Sequence, residues 1–304
     1  MSNFLLIFIC LFLGFIFRIF KIFPSTTAQV LNRFVIYISL PALTIKALHQ
    51  ISFSSQQIPA MAMAWGLYFL GCLFFYSLNH FVHFSRKTMG TLFLTGSLGN
   101  TSFVGFPLLE ALFGATALST GILVDQPGTF LVAGTFGLLT ASIFSSAAPS
   151  FKTILQKIFL FPPFQAVLLS ILIHDYPLPS ELNLILDRLS ATLIPLSLVA
   201  VGYQIQFNRH AFRAEWKPLF WGLSFKLVLA PLVISFIYIG GLHMSGEQTH
   251  IILVESAMAP MITAGILATE YNLNTELASL MIGLGIPLSM LTVPIWHYFI
   301  GFWV

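Results

Sequence analysis

Apolar runs of about 20 residues follow one another along almost the whole chain, and that pattern leaves few folds open to it. In hydrocarbon an unpaired backbone amide or carbonyl costs several kcal/mol, so a spanning segment must satisfy its own backbone, and runs of this length read as helices. Ten can be counted, approximately 3–20, 28–49, 58–82, 89–113, 117–145, 154–174, 184–204, 218–241, 248–268 and 276–299. Charged residues are 8% of the chain, against roughly 25% in soluble proteins. The expected fold class is an all-α polytopic membrane protein of ten transmembrane helices, with connections too short for a soluble domain. The lipid bilayer is therefore a partner, and a net charge of +3 gives no argument for nucleic acid.

Two of the runs are broken. Gly99-Asn100-Thr101-Ser102-Phe103-Val104-Gly105-Phe106-Pro107 interrupts the fourth, and Glu255-Ser256-Ala257-Met258-Ala259-Pro260-Met261-Ile262-Thr263 interrupts the ninth. An interrupted helix at membrane depth persists only where protein buries it or a wet cavity borders it, and paired interruptions point to a transporter's binding site. Proline suits the first position of a helix, so Pro107 and Pro260 are expected to start new half-helices near the midplane. Helix 4 would run outward and helix 9 inward, so the two positive N-termini would converge on a point suited to a carboxylate. Asn100, Thr101, Ser102, Gly105, Pro107, Pro260 and Thr263 are the candidate substrate-binding residues. Against this, Asn100, Thr101 and Ser102 also suit hydrogen bonding between packed helices, and either proline alone is compatible with a plain kink.

The prolines repeat as well. Pro41 and Pro195 differ by 195 − 41 = 154, and Pro107 and Pro260 by 260 − 107 = 153, in corresponding runs. This suggests two copies of a five-helix unit, residues 1–146 and 154–304, joined by a short cytoplasmic connection at 147–153. Because five is odd, the second copy is inverted in the membrane. Arg18 and Lys21 follow the first apolar run instead of preceding it, contrary to a cleavable signal peptide, so a retained first helix entering from outside is expected. The inner side then receives Arg18, Lys21, Arg33, Arg86, Lys87, Lys152, Lys157, Arg209, Arg213 and Lys217, and the outer side Lys46 and Arg188. This orientation predicts an integral cell (inner) membrane protein with both termini on the non-cytoplasmic side.

Charge inside a membrane is costly and seldom idle. Glu255 lies five residues before Pro260, near the negative end of the first half-helix, and is the leading proton- or cation-binding candidate. Asp125, two residues before Pro127, is either a second coupling carboxylate or a solvated acid about two turns inside the outer end. Glu110 is expected to satisfy the N-terminus of the half-helix begun by Pro107, with Thr263 as its repeat counterpart. Lys46 is expected to snorkel to the headgroups, Lys226 to pair with an acid, and Trp65, Trp216, Trp221, Trp296 and Trp303 to act as interfacial anchors.

Gly99-Asn100-Thr101 with Gly105-Phe106-Pro107-Leu108 and Phe113-Gly114 resembles the fourth-helix signature of the auxin efflux carrier family, which includes the plant PIN carriers. Further resemblance lies in Glu255-Ser256-Ala257-Met258-Ala259-Pro260, Ala268-Thr269-Glu270-Tyr271, Ile194-Pro195-Leu196-Ser197-Leu198, Val201-Gly202 and Leu291-Thr292-Val293-Pro294-Ile295-Trp296. The chain departs from the family's usual prokaryotic Ala-Met-Pro-Pro at Ala257-Met258-Ala259-Pro260, and has Ile286-Pro287 where the family more often has Ser and Leu. The resemblance implies ten helices as an inverted repeat, helices 4 and 9 crossing at prolines, and secondary active transport of a small organic anion. It is compatible with a proton or sodium as coupling ion and with a homodimer. The alternatives are a sodium-coupled symporter of the bile-acid-carrier type and a membrane receptor that binds an organic acid without moving it. Neither a phosphate loop, nor zinc-type spacing, nor a nucleophile turn occurs, so no enzyme activity, metal or cofactor is expected.

Overall fold

The structure is a computed structural model, and it describes residues 2–49, 55–145, 152, 156, 159–174, 176–205 and 209–304. The connection expected at 147–153 lies almost wholly outside the described residues, as does Lys157. The described residues are built from helices: α1 (Ser2–Ile19), α2 (Thr27–Leu48), α3 (Ser55–Val82), α4 (Arg86–Thr95), α5 (Thr101–Phe113), α6 (Ala117–Phe144), α7 (Pro162–Leu172), α8 (Ser180–Gln204), α9 (Arg209–Gly241), α10 (Glu247–Ser256), α11 (Ile262–Glu270) and α12 (Thr275–Ile300). Six of them, α2, α3, α6, α8, α9 and α12, are long and apolar enough to cross a membrane. The fourth and ninth runs are each two short helices, α4 with α5 and α10 with α11. Helix α9 starts at Arg209, earlier than the apolar run at 218, because the exposed Arg209, Arg213 and Lys217 extend it beyond the apolar stretch with Pro218 inside.

Small residues set the closest approach. Where α1 crosses α8, a Cβ on Gly202 would lie 2.1 Å from the Leu11 carbonyl oxygen, and one on Gly14 would lie 2.2 Å from that of Val199. Only glycine allows this backbone-to-backbone contact, the kind on which packing within lipid relies. Nearby, the Ser39 and Thr192 hydroxyls of α2 and α8 are 2.7 Å apart. Large apolar side chains such as Phe12, Phe81 and Leu172 remain outward, 62%, 83% and 76% exposed, as a lipid-facing surface requires.

Several helices widen locally into π-helical turns, which free carbonyls and often mark functional positions. One spans Asp125–Phe130, where Pro127 has no N–H to give; the Pro127 carbonyl accepts a hydrogen bond from Trp65 Nε1 at 3.0 Å. Trp296 Nε1 donates to Leu227 O at 2.8 Å, beside another such turn at Phe225–Leu229. Trp65 and Trp296 thus tie helices together through their indole N–H groups. Lys46 does not simply snorkel: it pairs with Asp187 at 2.5 Å, joining α2 to α8, because the two helices pack side by side there.

Candidate functional site

Helix α4 ends at Thr95 and α5 begins at Thr101, where Asn100 Oδ1 accepts the Val104 N–H at 3.3 Å as an N-cap. Helix α10 ends at Ser256, and α11 begins at Ile262. The unwound residues between them run antiparallel, with Gly99 opposite Pro260. The Asn100 N–H donates to Ala259 O at 2.7 Å, and the Met261 N–H to Leu98 O at 3.0 Å. These bonds satisfy buried backbone that neither water nor a helix could. Gly99 and Pro260 occupy the pair position that exchanges no hydrogen bond, so the missing proline N–H costs nothing there. A Cβ on Gly285 of α12 would come within 2.5 Å of the Pro260 ring, so α12 closes over the crossing at a glycine.

This geometry corrects the expected roles of the prolines. Pro107 stands at the start of the α-helical part, Phe106–Phe113, but the helix as a whole begins upstream with the π-helical turn Thr101–Gly105. That wide turn relieves the clash of a proline ring with the preceding turn. Pro260 lies in the extended pairing, two residues before α11, with Met261 as N-cap. Since α5 starts at Thr101, Glu110 falls in its last turn, far from the N-terminus it was expected to satisfy.

The buried charged side chains among the described residues are Asp125, Lys226 and Glu255. Asp125 is 3% exposed, not solvated, and accepts hydrogen bonds from Thr101 Oγ1 at 2.6 Å and Gln126 Nε2 at 2.7 Å. It thereby fastens α6 to the first turn of α5. Glu255, in the last turn of α10, lies against the same turn: a Cβ on Gly105 would be 2.9 Å from each of its carboxylate oxygens. Neither oxygen has a protein hydrogen-bond partner. Ser97 Oγ, Asn100 Nδ2 and Gln126 Oε1 are likewise buried without one. Lys226 was expected to pair with an acid, yet its Nζ donates to the Ser256 carbonyl at 3.0 Å, and the ion pair among the described residues is Lys46–Asp187.

A cavity of about 300 Å³ ends on the crossing. Ser102, Asp125, Met261 and Thr263 contribute polar or backbone groups to its wall, while Phe103, Phe130, Phe161, Leu40 and Ile266 supply apolar surface. Phe130 and Phe161 stack with centroids 3.7 Å apart. From the crossing the cavity extends along α11 to its last residue, Glu270. Of the sequence candidates, Ser102, Thr263 and Asp125 line it; Asn100, Thr101, Gly105, Pro260 and Glu255 form the crossing behind it; Pro107 is buried in α5, and Glu110 belongs to neither. Gln126, expected as a polar partner beside Asp125, is one. The aromatic wall and Glu270 were not foreseen as site residues; for the aromatics a chain with 32 Phe offers no signal.

Interrupted helices paired in the core of a many-helix apolar fold, with a cavity ending on the pair, define the class as an integral, multi-pass membrane transport protein. The family model described as Membrane transport protein matches residues 1–149 and 146–297, and the chain belongs to that family, the auxin efflux carriers. It is similar to an uncharacterized transporter of Methanocaldococcus jannaschii, 28% identical over 97% of this chain and 96% of the relative. An uncharacterized transporter of Methanothermobacter thermautotrophicus is 27% identical over 93% of each chain. The uncharacterized transporter YfdV of Escherichia coli is 20% identical over 91% of this chain and 90% of its own length.

Proposed function

We propose that the protein is a secondary active transporter that carries a small organic anion, a carboxylate, across the cell membrane by alternating access. The observation that carries this reading is the antiparallel pairing of two interrupted helices at the end of a cavity. Half-helix N-termini offer free amides and the positive ends of their dipoles to an anionic group. In this reading Asn100, Thr101 and Ser102 of α5 and Thr263 of α11 hold the carboxylate, Gly105, Pro107 and Pro260 shape the crossing, and the aromatic wall receives the apolar body. Glu255 takes the coupling proton, since both its oxygens lack a protein donor while Asp125 accepts from Thr101 and Gln126.

The ten runs make two inverted five-helix halves, 1–146 and 154–304. Exchanging the halves turns the packing of α1 on α8 into that of α7 on α2, and both occur, which supports the repeat. With the orientation drawn from the positive charges, the cavity opens toward the cytoplasm. A second reading, a sodium-coupled symporter, draws on the same two carboxylate oxygens, which suit a metal cation as well as a proton.

The test is counterflow of radiolabelled mono- and dicarboxylates into proteoliposomes at two pH values, with and without sodium. Saturable, pH-sensitive, sodium-independent flux of at least one acid is expected, reduced more than tenfold in a folded Asn100→Ala variant. Sodium-dependent flux selects the symporter. Acid binding without flux in folded protein establishes a receptor instead, and undiminished flux in Asn100→Ala removes the crossing from the site.

A further inference from the structure

We infer that Lys226 is a built-in cation, occupying at the C-terminal end of α10 a position that a mobile alkali ion would otherwise fill, so that only one coupling charge is left for Glu255 to bind. Its meaning for coupling rests on the carrier reading; the geometry behind it is separate. Lys226 enters the crossing from the π-helical turn of α9 and is wholly buried. Its ammonium donates to the carbonyl of Ser256, the last residue of α10, at 3.0 Å. The ammonium lies close against Gly99, where a Cβ would stand 3.1 Å from Nζ.

Carbonyls at a half-helix C-terminus carry the negative end of its dipole, and in carriers with discontinuous helices such ends and unwound carbonyls bind the coupling cation. Lys226 makes the contact with that end that a bound cation would make. It does so without a carboxylate within 4.0 Å, although an ordinary buried lysine would be expected to sit in an ion pair. The charged groups facing the crossing are Asp125 from α6, Glu255 from α10 and Lys226 from α9, two acids and one base. The cluster is therefore one positive charge short, and the partnerless oxygens of Glu255 are where that charge can bind.

The experiment needs no transport assay. Thermal unfolding of the purified full-length protein is followed in detergent with sodium chloride, potassium chloride or choline chloride at equal ionic strength. Wild type is expected to melt at the same temperature in all three. Lys226→Gln, short of a second charge, is expected to gain a response specific to sodium or potassium over choline, on the order of 5 °C when the cation is a hundredfold above its dissociation constant. Should Lys226→Gln fail to fold, Lys226→Gln with Glu255→Gln lowers the charge deficit, and it is expected to recover monodisperse protein insensitive to the cation. A folded Lys226→Gln with no cation response overturns the inference. So does a wild type with an equal response, or a double variant that recovers nothing. Absence of flux in the carboxylate panel would refute the carrier reading and leave these melting results standing.

Discussion

Thr101→Val tests whether the crossing is fastened by the bond between α5 and α6. Valine keeps the shape and β-branching of threonine but removes the hydroxyl that donates to Asp125 Oδ1 at 2.6 Å. Both partners are buried, 2% and 3% exposed, so the lost bond is not made good by bulk solvent. Asp125 keeps its bond from Gln126 at 2.7 Å. A hydrogen bond to a charged group is worth about 1.5–3 kcal/mol. At roughly 2 °C per kcal/mol for a chain of this size, the melting temperature should fall by about 3–6 °C. Unfolding of membrane proteins is often irreversible, so the comparison is made at one scan rate, with tryptophan fluorescence as readout. Thr101→Ser retains the donor and should lose less than half as much. In a double-mutant cycle with Asp125→Ala, which removes the acceptor, the two losses should fail to add by about 1 kcal/mol or more. Additivity within about 0.5 kcal/mol, or equal losses in the Val and Ser variants, would refute the argument.

Gly202→Ala and Gly14→Ala push a methyl into carbonyl oxygens 2.1 and 2.2 Å from its position; backbone cannot swing aside as a side-chain tip can. Each should cost about 3 kcal/mol or more, read as loss of monodisperse protein in size-exclusion chromatography, and normal behaviour would show that α1 does not pack as described. Gly105→Ala first meets the carboxylate of Glu255 at 2.9 Å, a side-chain tip and not backbone, so yield should persist while pH-dependent flux falls. Unchanged pH dependence there would count against Glu255 as the proton carrier. The Lys46–Asp187 pair is about half exposed, 48% and 49%, and Lys46→Ala should change stability by less than about 1 kcal/mol. A larger loss, measured by the same melting assay, would mean that Lys46 also serves the nearby Glu110.

The sequence by itself determined that this chain lives in a membrane, because runs of apolar residues of bilayer length admit only self-satisfied backbone. It also determined where the helices break and that an acid stands at one break, since Gly, Asn and Pro in an apolar run and a carboxylate at Glu255 are local signals. The tertiary structure decided what meets across the break. Thr101 and Asp125 are 24 residues apart, Lys226 and Ser256 are 30, and the paired backbones of Asn100 and Ala259 are 159 residues apart (259 − 100). Periodicity records which face of a helix is apolar, but contacts of that range depend on which helices pack together and at what depth. The prolines show the difference most plainly. Pro260 lies within its interruption and Pro107 beyond the other, and the start of α5 at Thr101 and the place of Pro260 in an extended pair follow from where the buried amides find partners, two of which the opposite segment supplies at Ala259 and Leu98.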